Sequence, residues 1–249
     1  MSDTRITTRN LSGSPLLETG KSNLAVTIAL YLIVGVTVGL LCLISFVGVC
    51  EVNMSSMEAT LSQNDHVLTQ KYPTSIKVGD IVIVDAPDSV QPANEDKHIL
   101  FIKRVVALGG DDLLFELSPD DPARVVLSRQ AKGNQGFTEI KEDFVRAAFP
   151  RVALDDMLYS SVAFPKDFYP STFDEDGRFL IHIPEKHIFV LGDNRNNSND
   201  SRKYGPFALT AIQGKAFYKL KPNTLINAFF RFLYKSSSQQ NRFFHISAF

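Results

Sequence analysis

The chain has 249 residues, with 26 lysines and arginines against 27 aspartates and glutamates, a formal net charge of −1 and 44% apolar residues. That length holds one good-sized domain or two small ones, and the balanced charge lacks the basic field that nucleic acid requires. The two cysteines, Cys42 and Cys50, have no CxxC pairing and no histidine cluster beside them, so neither a disulfide framework nor a metal site is implied.

Residues 1–22 are polar, with Arg5, Arg9 and Lys21 against Asp3 and Glu18, and read as a short tail. From Leu24 to Cys50 there is no charged residue. At about 1.5 Å per residue this exceeds the ~20 residues a bilayer needs, so the stretch predicts one tilted transmembrane helix. A cleaved signal peptide has an apolar core of only ~7–15 residues followed by a small-residue site. Ser45–Cys50 offers no such site, so the segment reads as an uncleaved anchor, with Cys42 and Cys50 as small membrane residues. Basic residues precede the helix, whereas Glu51 and Glu58 follow it, which orients everything beyond residue 50 outside the cytoplasm.

His66–Gln70, Val78–Val84 and His98–Leu108 then read as successive strands, separated by loops containing Pro73, Pro87, Pro92 and Asn94. From Asp111 to about Pro184 the pattern weakens into turns at Ser118–Pro122 and Lys132–Gly136, with a hairpin loop at Asp174–Gly177 before a strand at Phe179–Ile183. This reads as an inserted β subdomain. Lys186–Leu191 is a buried strand that feeds a polar loop at Gly192, and Ala211–Leu220 is a closing strand. From Pro222 the tail is aromatic and basic without an acidic residue. It is too short to span a bilayer and suits an interfacial segment or one packed on the domain.

Within the run His98–Leu108, Lys103 sits among apolar residues. Burying an ammonium there costs several kcal/mol, so the amine tends to lose its proton and become a base. A general base near neutral pH is what a serine nucleophile needs. Strand alternation equally allows Lys103 or Arg104 to face outward and snorkel, and company decides between the two. Ser56, just past the anchor, supplies a hydroxyl, and Gly192–Gly205 supplies a dense polar network. A calcium loop fits Asp193, Asn194, Asn197 and Asp200 poorly because Arg195 and Arg202 interrupt it. Alternating acids, arginines and hydroxyls predict instead an ion-paired brace, with the Ser198 hydroxyl available to orient the lysine amine. The histidines, His66, His98, His182, His187 and His245, read as structural or exposed.

Ser-Met-x-x-Thr-Leu at Ser56–Leu61, Ile-Lys-Arg-Val-Val at Ile102–Val106 and Gly-Asp-Asn-Arg-x-Asn-Ser-x-Asp-Ser-Arg-x-x-Gly at Gly192–Gly205 together resemble the bacterial type I signal peptidases. Gly79-Asp80-Ile81-Val82 and Ile183-Pro184-Glu185 agree as well. The resemblance spans roughly residues 53–111 and 183–207. It implies a mostly β, antiparallel, barrel-like fold with an N-terminal transmembrane helix and an inserted β subdomain. It implies Ser56 as nucleophile and Lys103 as general base, with no cofactor and no metal. Ser198 would hold the lysine, while Asp200 and Arg202, with Arg195 and Asp193, would brace the loop. The Ser56 N–H, with Ser55 as a substitute donor, would meet the oxyanion, and Met57 and Ile102 would line substrate pockets. Partners would be exported preproteins, cut after an Ala-x-Ala type junction and bound as an added strand, and the bilayer of the inner membrane.

The implied layout is a cytoplasmic tail 1–22, an anchor 23–50, a catalytic β domain in two parts, 51–111 and 185–221, an insertion 112–184 and a basic, aromatic tail 222–249. The chain departs from the family at Met54, where many Gram-negative members carry a hydroxyl, and at Ala59 and Gly109, where prolines are usual. Two rival readings accompany this one. A specialised pilin-processing peptidase more often shows Ser-Met-Pro-x-Gly, which Ser56–Thr60 lacks. A catalytically silent, membrane-tethered peptide-binding module has only Met54 in its favour.

Overall fold

The structure is a computed structural model that describes residues 24–58, 60–91, 99–121, 124–141, 149–150, 178–221 and 224–235. The N-terminal tail, Ala59, Pro92, Asn94, His98, Pro122, the 174–177 hairpin and residues 236–249 of the C-terminal tail lie outside the described residues. Two compact units result, one ending at Leu43 and one running from Ile44.

The first unit holds the helix α1, Leu24–Phe46, whose last turn belongs to the second. It is long and apolar enough to cross a membrane and fits a membrane anchor. It ends four residues before the expected boundary at Cys50. Val47–Glu51 is instead the strand β1, which pairs antiparallel with β2, His66–Gln70. An uncharged run does not distinguish helix from strand, and the valines of Val47-Gly-Val-Cys-Glu51 favour the extended state once a partner strand is present. Cys50 is therefore a core residue rather than a membrane one, and burial pushes its thiol pKa up.

The remaining strands are β3 (Ile81–Asp85), β4 (Leu100–Leu108), β5 (Asp112–Leu117), β6 (Arg124–Gln130), β7 (Thr138–Glu139) and β8 (Phe149–Pro150). They are followed by β9 (Arg178–His182), β10 (His187–Leu191), β11 (Phe207–Ala208) and β12 (Ile212–Leu220). A four-residue helix α2, Ser201–Tyr204, interrupts the polar loop, and α3, Leu225–Lys235, follows β12. Seven strands form one sheet in the order β1-β2-β12-β3-β4-β10-β11, and β7-β6-β5-β9 form a second, with β8 on β6. The pairings in both are antiparallel.

Strand alternation sorts the core. Val82 and Val84 of β3, Phe101 and Val105 of β4 and Ile188 and Val190 of β10 share one face of the large sheet with Tyr204 and Phe207. Ile83, Leu100 and Ile102 face the other way, with Cys50, Val52 and Met57. Both faces of β4 are covered, which explains why its sequence is apolar almost without a break. The second sheet is half-buried and alternates, as in the exposed-buried pattern of β9. Its inward residues Leu113, Phe115, Leu127 and Phe179 share a core with Phe189 and Leu191 of β10, so the insertion rests on the large sheet. Gly109 begins the crossing between the sheets: a Cβ there would come within 2.8 Å of the Pro184 carbonyl oxygen and the Lys186 nitrogen. Where the family has proline, this chain uses the missing side chain for close backbone approach.

Phe115 joins the sheets, with its ring 6.0 Å from Phe179 and 6.3 Å from Phe189 in edge-to-face contact. Phe115→Ala should cost about 3–5 kcal/mol in urea denaturation, the range for emptying an aromatic site in a packed core; an exposed ring would cost under about 0.5 kcal/mol.

Candidate active site

Ser56 lies in a 3₁₀ turn, Ser55–Met57, entered from an extended Met54 and closed by the Glu58 N–H donating to the Ser55 carbonyl at 3.0 Å. Met57, fully enclosed in the core beside Ile102, pins the turn, and the Leu61 N–H donates to its carbonyl at 2.9 Å. Lys103 arrives from β4, where Val82 of β3 is its register partner. Alternation puts it on the face of Phe101 and Val105, with Nζ 5.2 Å above the Phe101 ring. Nζ donates to Ser56 Oγ at 2.8 Å and to the Ile102 carbonyl at 3.0 Å. Lysine and serine are 1% and 4% exposed, so the contact is shielded from competing water.

Burial lowers the Lys103 pKa from 10.5 to about 8, with the Arg202 charge pushing the same way and Asp200 and Asp193 opposing. Roughly one-tenth of the amine is then neutral at pH 7. The neutral form can accept the Ser56 proton across the contact that already exists.

The loop after β10 holds this pair in place. Asp200 is the N-cap of α2 and accepts from the Arg202 N–H at 3.1 Å, while its other carboxylate oxygen accepts from the Gly192 N–H at 3.0 Å. The Arg202 guanidinium forks onto the carboxylate with two bonds of 2.8 Å and donates to the Arg195 carbonyl at 2.6 Å. Burial opposes ionisation of Asp200, but the Arg202 charge and hydrogen bonds outweigh it and keep the carboxyl below its ordinary range. Asn194 donates its N–H to the Ser56 carbonyl at 3.0 Å and its side-chain amide to the Ser55 carbonyl at 3.1 Å. Asn197 Nδ2 reaches Ser55 Oγ at 3.2 Å. The loop thus grips the nucleophile turn through its main chain, fixing the direction of its peptide groups.

The structure departs from the expected roles in several places. Asp193 braces the loop against the lysine strand. Its partner is Arg104, which forks onto it at 2.8 and 2.7 Å, while Thr60 Oγ1 donates to the same carboxylate at 2.5 Å. Arg195 is buried and donates to the Gly192 carbonyl at 3.0 Å. Ser198 Oγ is enclosed beside Asp200, whose carboxylate it helps keep ionised. The lysine amine donates instead to Ser56 Oγ and the Ile102 carbonyl. Met57 and Ile102 are 0% and 3% exposed and serve as core side chains in this conformation. Ser55 keeps its hydroxyl on Asn197. Sequence reasoning missed the roles of Arg104, Thr60, Asn194 and Asn197; adjacency of Arg104 to Lys103 was the available signal.

Gly192 has no room for a side chain, since a Cβ would stand 2.5 Å from the Ser56 carbonyl oxygen. Gly192→Ala should displace the nucleophile turn and lower kcat about 10²-fold, the penalty for an ångström of misplacement, with a folded protein by circular dichroism. Arg202→Met should cost about 3–5 kcal/mol in denaturation because it strands a buried carboxylate.

The family described as signal peptidase, peptidase S26, matches residues 23–220. Signal peptidase I of Aquifex aeolicus is 30% identical over 190 residues, covering 66% of this chain and 71% of the relative. A probable signal peptidase I-1 of Synechocystis sp. is 26% identical over 170 residues, covering 67% of each. Among solved structures, a signal peptidase I from Enterococcus faecalis aligns with a TM-score of 0.33 and 19% identity, over 58% of this chain and 98% of that one. With the family match running through the apolar helix, both serine and lysine segments and the closing strand, the chain belongs to the signal peptidase family, peptidase S26.

Proposed function

We propose that this protein is a membrane-anchored serine endopeptidase that removes signal peptides from exported preproteins, with Ser56 as nucleophile and Lys103 as general base. The observation that carries the assignment of roles is the 2.8 Å contact between Lys103 Nζ and Ser56 Oγ in a water-excluded site. In the reactive state the neutral amine accepts the Ser56 proton as Oγ attacks the scissile carbonyl carbon. The Ile102 carbonyl holds one amine N–H and thereby aims the lone pair. The Ser56 N–H, oriented by the grip of Asn194 on the same turn, meets the oxyanion. The protonated lysine then gives its proton to the leaving amine, and a water activated by the same base releases the acyl group from serine. Ser198 is a positioning residue, its enclosed hydroxyl standing ready to accept from the lysine ammonium formed in the first step.

The substrate binds by strand addition. β3 pairs with β4 from Leu100 to Arg104, whereas β10 meets β4 only from Arg104 onward. Among the described residues no strand pairs with Leu100–Lys103 on the β10 side, which leaves an edge onto which an extended peptide can lay its main chain, with its carbonyl brought to Ser56. The protein spans the inner membrane once, with its N-terminus in the cytoplasm and the Ser56 site outside, as the basic residues before α1 and the glutamates after it favour.

Mass-spectrometric mapping of the cut in a preprotein with an Ala-x-Ala junction tests the assignment with detergent-solubilised full chain. Wild type should cut after the last alanine, and Ser56→Ala and Lys103→Met should each lower kcat by about 10⁴–10⁶. Full activity of Ser56→Ala contradicts the reading, and a wild type that a serine-directed probe fails to label supports a silent binding module. Because the base must be deprotonated, kcat/KM should rise tenfold per pH unit on the acid side and level off above about 8.

A further inference from the structure

The helix α3 follows Thr224, whose Oγ1 accepts from the Asn227 N–H at 3.2 Å, and it packs against β1. Asn227 and Phe230 are on the packed side, 6% and 9% exposed. At 100° per residue, Leu225, Ala228, Phe229 and Phe232 form the opposite stripe. They face away from the domain: Leu225 is 90% exposed, Phe229 47% and Phe232 77%, with Ala228 exposed between them. A helix docked by one edge while its phenylalanines point outward leaves an apolar ridge that water does not favour.

We propose that this ridge is an interfacial docking surface that inserts into the headgroup boundary of an anionic lipid bilayer. Three observations select lipid over a second protein. First, β1 begins at the residue after α1 ends, so the strand that carries α3 is the part of the domain closest along the chain to the bilayer. Second, the exit of α1 carries an aromatic pair, Phe46 and Tyr72, 60% and 67% exposed with ring centroids 6.5 Å apart, the type of residue that settles at headgroup depth. Third, residues 222–249 hold Arg231, Lys235 and Arg242 and no acidic residue, which complements anionic headgroups. The consequence for the peptidase is a second hold on the membrane, at the C-terminal end of the β domain, that restricts the domain's tumbling about α1.

The proposal rests on α1 being embedded, and the test separates the two. The chain contains no tryptophan, so single Phe229→Trp, Phe232→Trp, Tyr31→Trp and Phe137→Trp variants each report one site. The full chain is reconstituted into phosphatidylcholine vesicles with about one-third phosphatidylglycerol, with and without brominated acyl chains. Brominated lipid should quench tryptophan at 229 and 232 several-fold more than at 137, beside β7, with Tyr31→Trp quenched most. Quenching at 31 but not at 229 or 232 overturns the proposal and leaves the anchor standing; loss of quenching at all sites overturns both. Blue-shifted emission at 232 that ignores bromine and fades as the protein-to-lipid ratio falls assigns the ridge to a second copy. The same emission lost on truncation after Lys235 assigns it to the chain's own tail. Either result overturns the proposal.

Discussion

An amine that is 1% exposed cannot hold a full charge without help, and the site is arranged around that constraint. Two compensations exist: proton loss, or a nearby carboxylate. This protein keeps both within reach. Burial pushes Lys103 down while Asp200 and Asp193 pull it back up, and the balance falls at about 8. Were the acids unpaired, they would hold the lysine as an ammonium and spoil it as a base. Arg202 on Asp200 offsets part of that pull, so this buried ion pair tunes the lysine as well as bracing the loop, while Arg104 on Asp193 braces it from β4.

The same pairs settle the geometry. Asp193 and Asp200 lie on one loop, but their arginines come from β4 and from α2. The first ties the loop to the lysine strand, and the second closes the loop on itself. Asn194 and Asn197 then tie it to Ser55 and Ser56. A nucleophile from the turn after β1 and a base from β4 are thereby held by a third segment that meets both. Tight contact at Gly192, against the Ser56 carbonyl, is the point where this clamp has no slack.

Much of this was legible in the chain. The apolar run around Lys103 announced a strand, and the density of acids and arginines in Gly192–Gly205 announced a brace. The strands His66–Gln70 and His187–Leu191 stand where alternation and turn residues put them. Other features were hidden for definite reasons. β1 shares its uncharged composition with the helix before it, and only pairing with β2 makes it a strand. Arg104 reads as a snorkelling neighbour until the fold sets it 2.7 Å from Asp193, 89 positions away. Met57 and Ile102, expected at a pocket surface, lie in the core because the 3₁₀ turn folds inward over β4. The resemblance could supply residue roles but not these distances.

The most direct measurement is the titration of Lys103 itself, by carbon-13 NMR of the lysine ε-methylene groups in full chain held in detergent, assigned by the signal lost in Lys103→Met. A midpoint near 8 would establish that burial has made this lysine a base at working pH. A midpoint at the ordinary 10.5 would leave the amine an ammonium and contradict its role as the group that takes the proton from Ser56.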